Sequence, residues 1–195
     1  MALPSHYQAT QHFSDSFVIS CGCIMFRFPA KPTSSPIEVC LLHDASRDQW
    51  LLPKGRKNEG EALLDAALRE SYEESGYRVS PLPSTFLTRA TPVNEDPNAT
   101  FESKPRLSEG CTEPFSVQIR RYQEGETKLV FWFLGQVEES SKREEDTRMA
   151  YETIDKVEWF DPVKVLETAS LENDREIIKK AVEIVTSSRK GLQKN

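Results

Sequence analysis

The sequence predicts an α+β fold, an α/β/α sandwich in which helices cover a mixed central sheet. Two segments, residues 16–28 "SFVISCGCIMFRF" and 127–137 "TKLVFWFLGQV", are apolar on both alternating faces, as strands buried from both sides must be. A helical repeat fills residues 61–75, and a second amphipathic stretch begins near Glu172. Strands come first, then a helix, then more strands and a terminal helix.

Each element has its own warrant. Residues 1–15 are polar and read as a flexible N-terminal arm. The first buried strand follows at 16–28, where Cys21 and Cys23 share a face and pack as small hydrophobes. After the turn "AKPTSSP", residues 37–43 (IEVCLLH) form a second strand, and 50–53 (WLLP) a short third one. The helix of 61–75 ends at Gly76, a left-handed cap, with Leu64, Leu68 and Ser71 toward a core and Ala67 beside them. Six prolines between Pro81 and Pro114 and little periodicity make residues 90–113 a long proline-rich loop. Residues 114–122 and 127–137 then form a hairpin around "QEGE", and 156–160 (KVEWF) a last strand. Asp161 and Pro162 cap and open a helix. In the final helix Ile177, Ile178, Ala181, Ile184 and Val185 line one side, and 189–195 are a polar tail. Residues 16–188 thus make one domain, a reasonable size for a chain of 195 residues.

Composition removes several classes of function. A net charge of −6 argues against broad nucleic-acid or membrane-surface binding, which needs a basic face. The four cysteines are too scattered for a disulfide scaffold, and His6, His12 and His43 supply no zinc spacing. No signal-peptide pattern and no membrane-length apolar run occur, so the expected compartment is reducing, cytoplasmic or nuclear. The oligomeric state is left open.

The chemistry concentrates in residues 55–77, "GRKNEGEALLDAALRESYEESGY". From Glu61 onward five acids face one base, Arg69. Glu70, Glu73 and Glu74 stand at i, i+3 and i+4, on one helical face, where like charges repel. A solvated acidic helix is the plain explanation, but such helices interleave lysines. Converging carboxylates instead make a hard oxygen site suited to Mg²⁺ or Mn²⁺, with phosphate oxygens completing the shell. Gly55 lets the backbone come close and offers its carbonyl.

Gly55, Glu61, Arg69, Glu70, Glu73, Glu74 and Gly76 match the pattern G-x5-E-x7-R-E-U-x-E-E-x-G-U, with U a bulky aliphatic. On these residues the chain resembles the Nudix hydrolases. Ser71 and Tyr77 occupy the aliphatic positions, so the departures touch packing rather than ligands. The flanks "EVCLLHDASRDQWLLPKG" and "VEWFDPVKVLETASLENDREIIKKAVEIV" are similar to the diphosphoinositol and dinucleoside polyphosphate branches of that family.

The resemblance implies a Nudix-type sandwich that hydrolyses a diphosphate bond in a small polyphosphate. Its substrate would be a dinucleoside polyphosphate such as diadenosine tetraphosphate, or a diphosphoinositol polyphosphate. It implies that Glu70, Glu73, Glu74 and the Gly55 carbonyl bind Mg²⁺ or Mn²⁺, that Arg69 orients a carboxylate, and that Glu61 supports the site. The general base falls to Glu70 or Glu73, or to a loop glutamate for which Glu152 is the nearest candidate against a plain solvated acid. Lys54, Arg56 and Lys57 are candidate phosphate contacts, and Arg120 and Arg121 a candidate basic rim. ADP-ribose hydrolysis, decapping of a capped RNA end and a non-catalytic binding module are the competing readings.

Overall fold

The computed structural model describes residues 7–30, 35–92, 104–123, 125–148 and 153–192. In chain order the elements are β1 (Phe17–Arg27), β2 (Glu38–Asp44), β3 (Gln49–Leu51), β4 (Lys54–Arg56) and α1 (Leu63–Ser75). Then come β5 (Ser80–Pro81), β6 (Ser84–Thr88), β7 (Arg106–Cys111), β8 (Ser116–Arg121), β9 (Thr127–Gln136) and β10 (Ile154–Phe160), closed by α2 (Pro162–Thr168) and α3 (Glu172–Leu192).

The long, doubly apolar strands β1 and β9 lie side by side and parallel, from Phe17 against Thr127 to Phe26 against Gln136. The other sheet pairings are antiparallel, so the sheet is mixed. The free edge of β1 is divided: Ser20, Cys21 and Gly22 pair with β4, whereas Phe26 and Arg27 pair with β2. From β2 the sheet extends to β10 and folds back to β3. The far edge of β9 takes β8 along its first half and β5 at its end. The expected hairpin is present, with Arg121 opposite Thr127.

Alternation along β1 and β9 sends side chains into two cores. Cys21, Cys23, Met25 and Phe133 pack with Ala66 and Ala67 of α1. Ile24, Phe26, Val130 and Trp132 pack with Val165 of α2 and with Ile178, Ala181 and Val185 of α3. Trp132 is fully buried and Trp50 packs against the same cluster. This is the α/β/α sandwich. The four cysteines are free and buried, and burial raises the Cys23 and Cys40 thiols to about 12.

Several elements differ from the sequence reading: β3 is Gln49–Leu51 rather than 50–53, β10 begins at Ile154 rather than 156, and β4, β5 and β6 are additional strands. The loop expected at 90–113 holds strand β7, which pairs with β6 in a separate two-stranded ribbon, Leu87 opposite Leu107. The amide of Thr85 donates to Ser188 Oγ at 2.8 Å and ties that ribbon to α3. The tail expected from 189 continues α3 as far as Leu192. And α1 begins at Leu63 rather than Glu61, which frees Glu61 to turn back on the loop. Residues 7–13 of the expected arm carry no regular structure, and among the described residues no helix is long and apolar enough to cross a membrane.

Candidate active site

The site is built where β4 passes beneath α1. Gly55 points its absent side chain at the helix: a Cβ there would lie 1.8 Å from Glu70 Oε2. Glycine therefore lets the Glu70 carboxylate, 8% exposed, press against the strand backbone. One turn on, the Lys54 amide donates to Glu74 Oε2 at 2.8 Å.

Arg69 organises the rest. Its Nη1 donates to Glu70 Oε1 at 2.7 Å and to Glu73 Oε2 at 2.9 Å. Its Nε and Nη2 fork onto Glu61 at 2.7 and 2.9 Å, and Nη2 also reaches the Arg56 carbonyl at 3.0 Å. Glu61 accepts the Asn58 amide as well, at 2.9 Å. The Arg69 hydrogen bond holds the Glu61 carboxyl below the usual glutamate range, and Glu61 in turn leads the causes that raise the arginine. Thus Gly55, Glu61, Arg69, Glu70, Glu73 and Glu74 come together where β4 meets α1. The guanidinium serves three of the carboxylates, and the fourth takes a backbone amide. Among the described residues no three His, Cys, Asp or Glu side chains stand as a ready-made metal centre. Glu152 lies outside the described residues.

Two residues that break the aliphatic pattern have local duties. The gap in pairing between β4 and β2 leaves Cys23 of β1 without a strand on that edge. Ser71 Oγ, fully buried on α1, accepts the Cys23 amide at 3.1 Å and fills it. An aliphatic side chain could not. Tyr77 packs edge-on to Trp159, ring centroids 5.5 Å apart, which keeps that position apolar in function. Between them Gly76 caps α1 with φ 78°, and a Cβ there would meet the Glu144 carbonyl at 2.2 Å.

The candidate phosphate contacts separate. The Lys57 ammonium donates to the Asn58 carbonyl at 2.8 Å, against the loop. Lys54 and Arg56 flank Gly55 on β4 and so project from the opposite face of the sheet. Lys54 and Glu74 both line a cleft of about 300 Å³ that also includes Asp44, Ser46 and Thr153. Asp44 accepts from the Thr153 hydroxyl at 2.6 Å and from the Ser46 hydroxyl at 2.7 Å, and these bonds lower its carboxyl. The sequence reading missed this wall of the cleft, because its residues lie on β2, the turn after it and the approach to β10. No short motif joins them.

The NUDIX domain family model matches residues 22–181. The chain belongs to the Nudix hydrolase family. The asymmetrical bis(5'-nucleosyl)-tetraphosphatase of Mus musculus is 34% identical over 113 residues, covering 54% of this chain and 72% of the mouse protein. The 8-oxo-(d)GTP phosphatase of Mycolicibacterium smegmatis is 34% identical over 73 residues, 35% of this chain. The chain spans only 23% of that relative's length. Among solved structures, a C. elegans Ap4A hydrolase binary complex aligns with TM-score 0.52 and 17% identity, over 84% of this chain and 93% of its own. A NUDIX-family hydrolase from Clostridium perfringens aligns with TM-score 0.53 and 14% identity, over 85% and 95%. At those identities the likeness is one of fold.

Proposed function

We propose that this protein is a Mg²⁺-dependent pyrophosphohydrolase that cleaves a diphosphate bond in a dinucleoside polyphosphate, such as diadenosine tetraphosphate, or in a diphosphoinositol polyphosphate. The observation that carries the reading is the Arg69 cluster at Gly55. Four carboxylates converge there, three of them on one guanidinium and the fourth on the Lys54 amide, a concentration of oxygen donors that suits a hard divalent cation. The name of the mouse relative supports the dinucleoside branch.

The donor set fits a hard divalent ion. Glu70 and Glu73 share one nitrogen of Arg69, so their oxygens lie no further apart than two hydrogen bonds allow. Glu70, Glu73, Glu74 and the Gly55 carbonyl would hold Mg²⁺ or Mn²⁺. Such an ion supplies Lewis acidity and neutralises phosphate charge. The residues of the chain do the remainder. Arg69 keeps the carboxylates fixed, Glu61 keeps Arg69 fixed, and Gly55 leaves room for the Glu70 carboxylate against the strand. Water adds to one phosphorus, the bond to the bridging oxygen breaks, and two phosphate products leave. The water's proton passes to Glu70 or Glu73. Glu152 is the alternative base.

The test is a substrate panel with Mg²⁺ and Mn²⁺: diadenosine polyphosphates, diphosphoinositols, ADP-ribose and capped RNA. Turnover of a diadenosine polyphosphate or a diphosphoinositol is the expected result. No turnover of any of them sinks the enzyme reading. Turnover of ADP-ribose or capped RNA alone overturns the substrate class.

A further inference from the structure

Two of the carboxylates proposed as metal ligands sit at the unfavourable end of their helix. Glu73 and Glu74 occupy the last turn of α1, and no basic residue shares that turn. The carbonyls there lack helical partners and carry the negative end of the helix dipole, so the backbone opposes the acids it bears. A helix end of this kind frays unless something holds it.

A segment distant in sequence takes up those carbonyls. Residues 138–148, between β9 and β10, are charged and carry no regular structure, and three of them reach the end of α1. Thr147 Oγ1 donates to the Glu73 carbonyl at 2.9 Å, and Arg143 Nε to the Ser75 carbonyl at 3.2 Å. The Glu144 amide donates to the Gly76 carbonyl at 2.8 Å, and the Gly76 amide closes the helix onto the Tyr72 carbonyl at 2.7 Å. The Arg143 guanidinium also supplies the positive charge that the last turn lacks.

The Glu144 side chain locks the loop from its other end. Its Oε2 accepts the Tyr72 hydroxyl at 2.6 Å, from within the helix, and its Oε1 accepts Arg78 Nε at 2.8 Å, from beyond the cap. The Arg78 guanidinium lies 5.0 Å from the centroid of the Tyr72 ring and closes the triangle. Gly76 admits the loop, since a Cβ there would stand 2.9 Å from Arg143 Cγ as well as against the Glu144 carbonyl. Tyr72 falls at an unspecified position of the box pattern, and Arg143, Glu144 and Thr147 lie outside it.

A left-handed glycine and its amide are enough to end most helices. A loop that needed only an anchor could take any exposed face of α1, yet this one takes the carbonyl of Glu73 itself. Glu74 lies between the carbonyls held by Thr147 and Arg143. At their other ends, the Glu73 carboxylate is held by Arg69 and the Glu74 carboxylate by the Lys54 amide. Both ligands are thus held twice, by the site at the side chain and by the loop along the backbone.

We infer that Arg143, Glu144 and Thr147 are positioning residues, which clamp the last turn of α1 so that Glu73 and Glu74 keep the places at which they receive the divalent ion. The inference rests on the proposed assignment of Glu73 and Glu74 to the metal. The three residues act through the helix backbone and not on the substrate.

The experiment reads metal binding apart from turnover. Mn²⁺ is titrated into metal-free wild type, Thr147→Val, Thr147→Ser, Glu144→Ala and, as a control at an exposed neighbour, Lys142→Ala. Electron paramagnetic resonance follows free Mn²⁺, and circular dichroism with thermal midpoints establishes that each variant is folded. Affinity falls about tenfold in Thr147→Val and Glu144→Ala, returns to within about twofold of wild type in Thr147→Ser, and holds in Lys142→Ala. In turnover, kcat falls at fixed Mg²⁺ and recovers in part as Mg²⁺ is raised, while KM for diadenosine tetraphosphate stays within about twofold. A lowered thermal midpoint with wild-type Mn²⁺ affinity in both Thr147→Val and Glu144→Ala makes the loop a mere anchor and overturns the inference, even if wild type hydrolyses its substrate. Equal losses in Thr147→Ser and Thr147→Val overturn the part given to the hydroxyl. Weaker Mn²⁺ binding in variants of a protein that turns over none of the substrate panel supports the clamp while the hydrolase reading fails.

Discussion

The two faces of the short strand β4 carry opposite charge and manage it in opposite ways. Toward α1, beneath Gly55, the acids are held by an arginine fork and a backbone amide, in bonds of 2.7 to 2.9 Å. Toward the other side, Lys54 and Arg56 join Lys128 and Arg120, and the acid nearest Arg120 stands 3.6 Å away and buried. The acidic face is organised before any ligand arrives, whereas the basic face is left short of anions. A preorganised set of carboxylates suits chemistry, where reorganisation would cost rate, and an under-neutralised cationic row suits capture of a charged chain.

Substitutions can separate the two. Glu73→Gln is expected to have the largest effect, a fall of about 100-fold in Mg²⁺-dependent turnover. Its affinity for sodium tripolyphosphate, a probe of the basic face, should hold or rise, because a nearby negative charge has gone; a parallel loss of both would merge the two faces into one site. Gly55→Ala comes next. The added methyl meets Glu70 Oε2 at 1.8 Å, so Glu70 must move, with a cost of about 1–3 kcal/mol in urea unfolding and about tenfold in kcat. Wild-type kcat in that variant would show that Glu70 need not press on the strand.

Smaller effects test what supports the acidic face. Ser71→Ala leaves the buried Cys23 amide without its acceptor and should cost about 1–2 kcal/mol in denaturant unfolding, with KM little changed. Smallest are the pH effects, and their signs differ. The Glu61 pKa is lowered by Arg69, so its stabilisation is complete above the ordinary glutamate value near 4.3 and is lost as pH falls through the lowered one. His43 bridges Asp155 at 2.6 Å and Asp48 at 3.0 Å, and the Asp155 bond raises it. That contribution is complete below about 6.5 and is lost as pH rises through the raised value. Thermal midpoints against pH should show the alkaline loss in wild type and not in His43→Gln.

The same contrast explains what the sequence revealed. The acidic site was legible because its residues lie within 55–76 at helical spacing, so local periodicity alone brings Glu70, Glu73 and Glu74 to one face. The central strands were legible because burial on both faces leaves an apolar run. Strand β7 was not: "RLSEGC" is polar, half of it exposed, and among the described residues it pairs with β6 alone in a surface ribbon. Strand β4 reads "KGR" and has no pattern of its own; register with β1 makes it a strand. Of the basic row, Lys54, Arg56 and Arg120 were singled out in the sequence, but not that they share one face, because β4 and the β8–β9 hairpin lie far apart in the chain. Lys128, a cation inside a strand otherwise apolar on that face, was not singled out. The duty of Ser71 depends on a gap between two partners of β1, which no local pattern records.

The central claim is that the carboxylates gathered by Arg69 at Gly55 bind the divalent ion that drives hydrolysis. Electron paramagnetic resonance of Mn²⁺ titrated into wild type, Glu73→Gln and Lys128→Gln measures that binding without turnover. The account predicts Mn²⁺ binding in wild type, a loss of at least tenfold in affinity in Glu73→Gln, and no such loss in Lys128→Gln. Equal Mn²⁺ affinity in wild type and Glu73→Gln would contradict it.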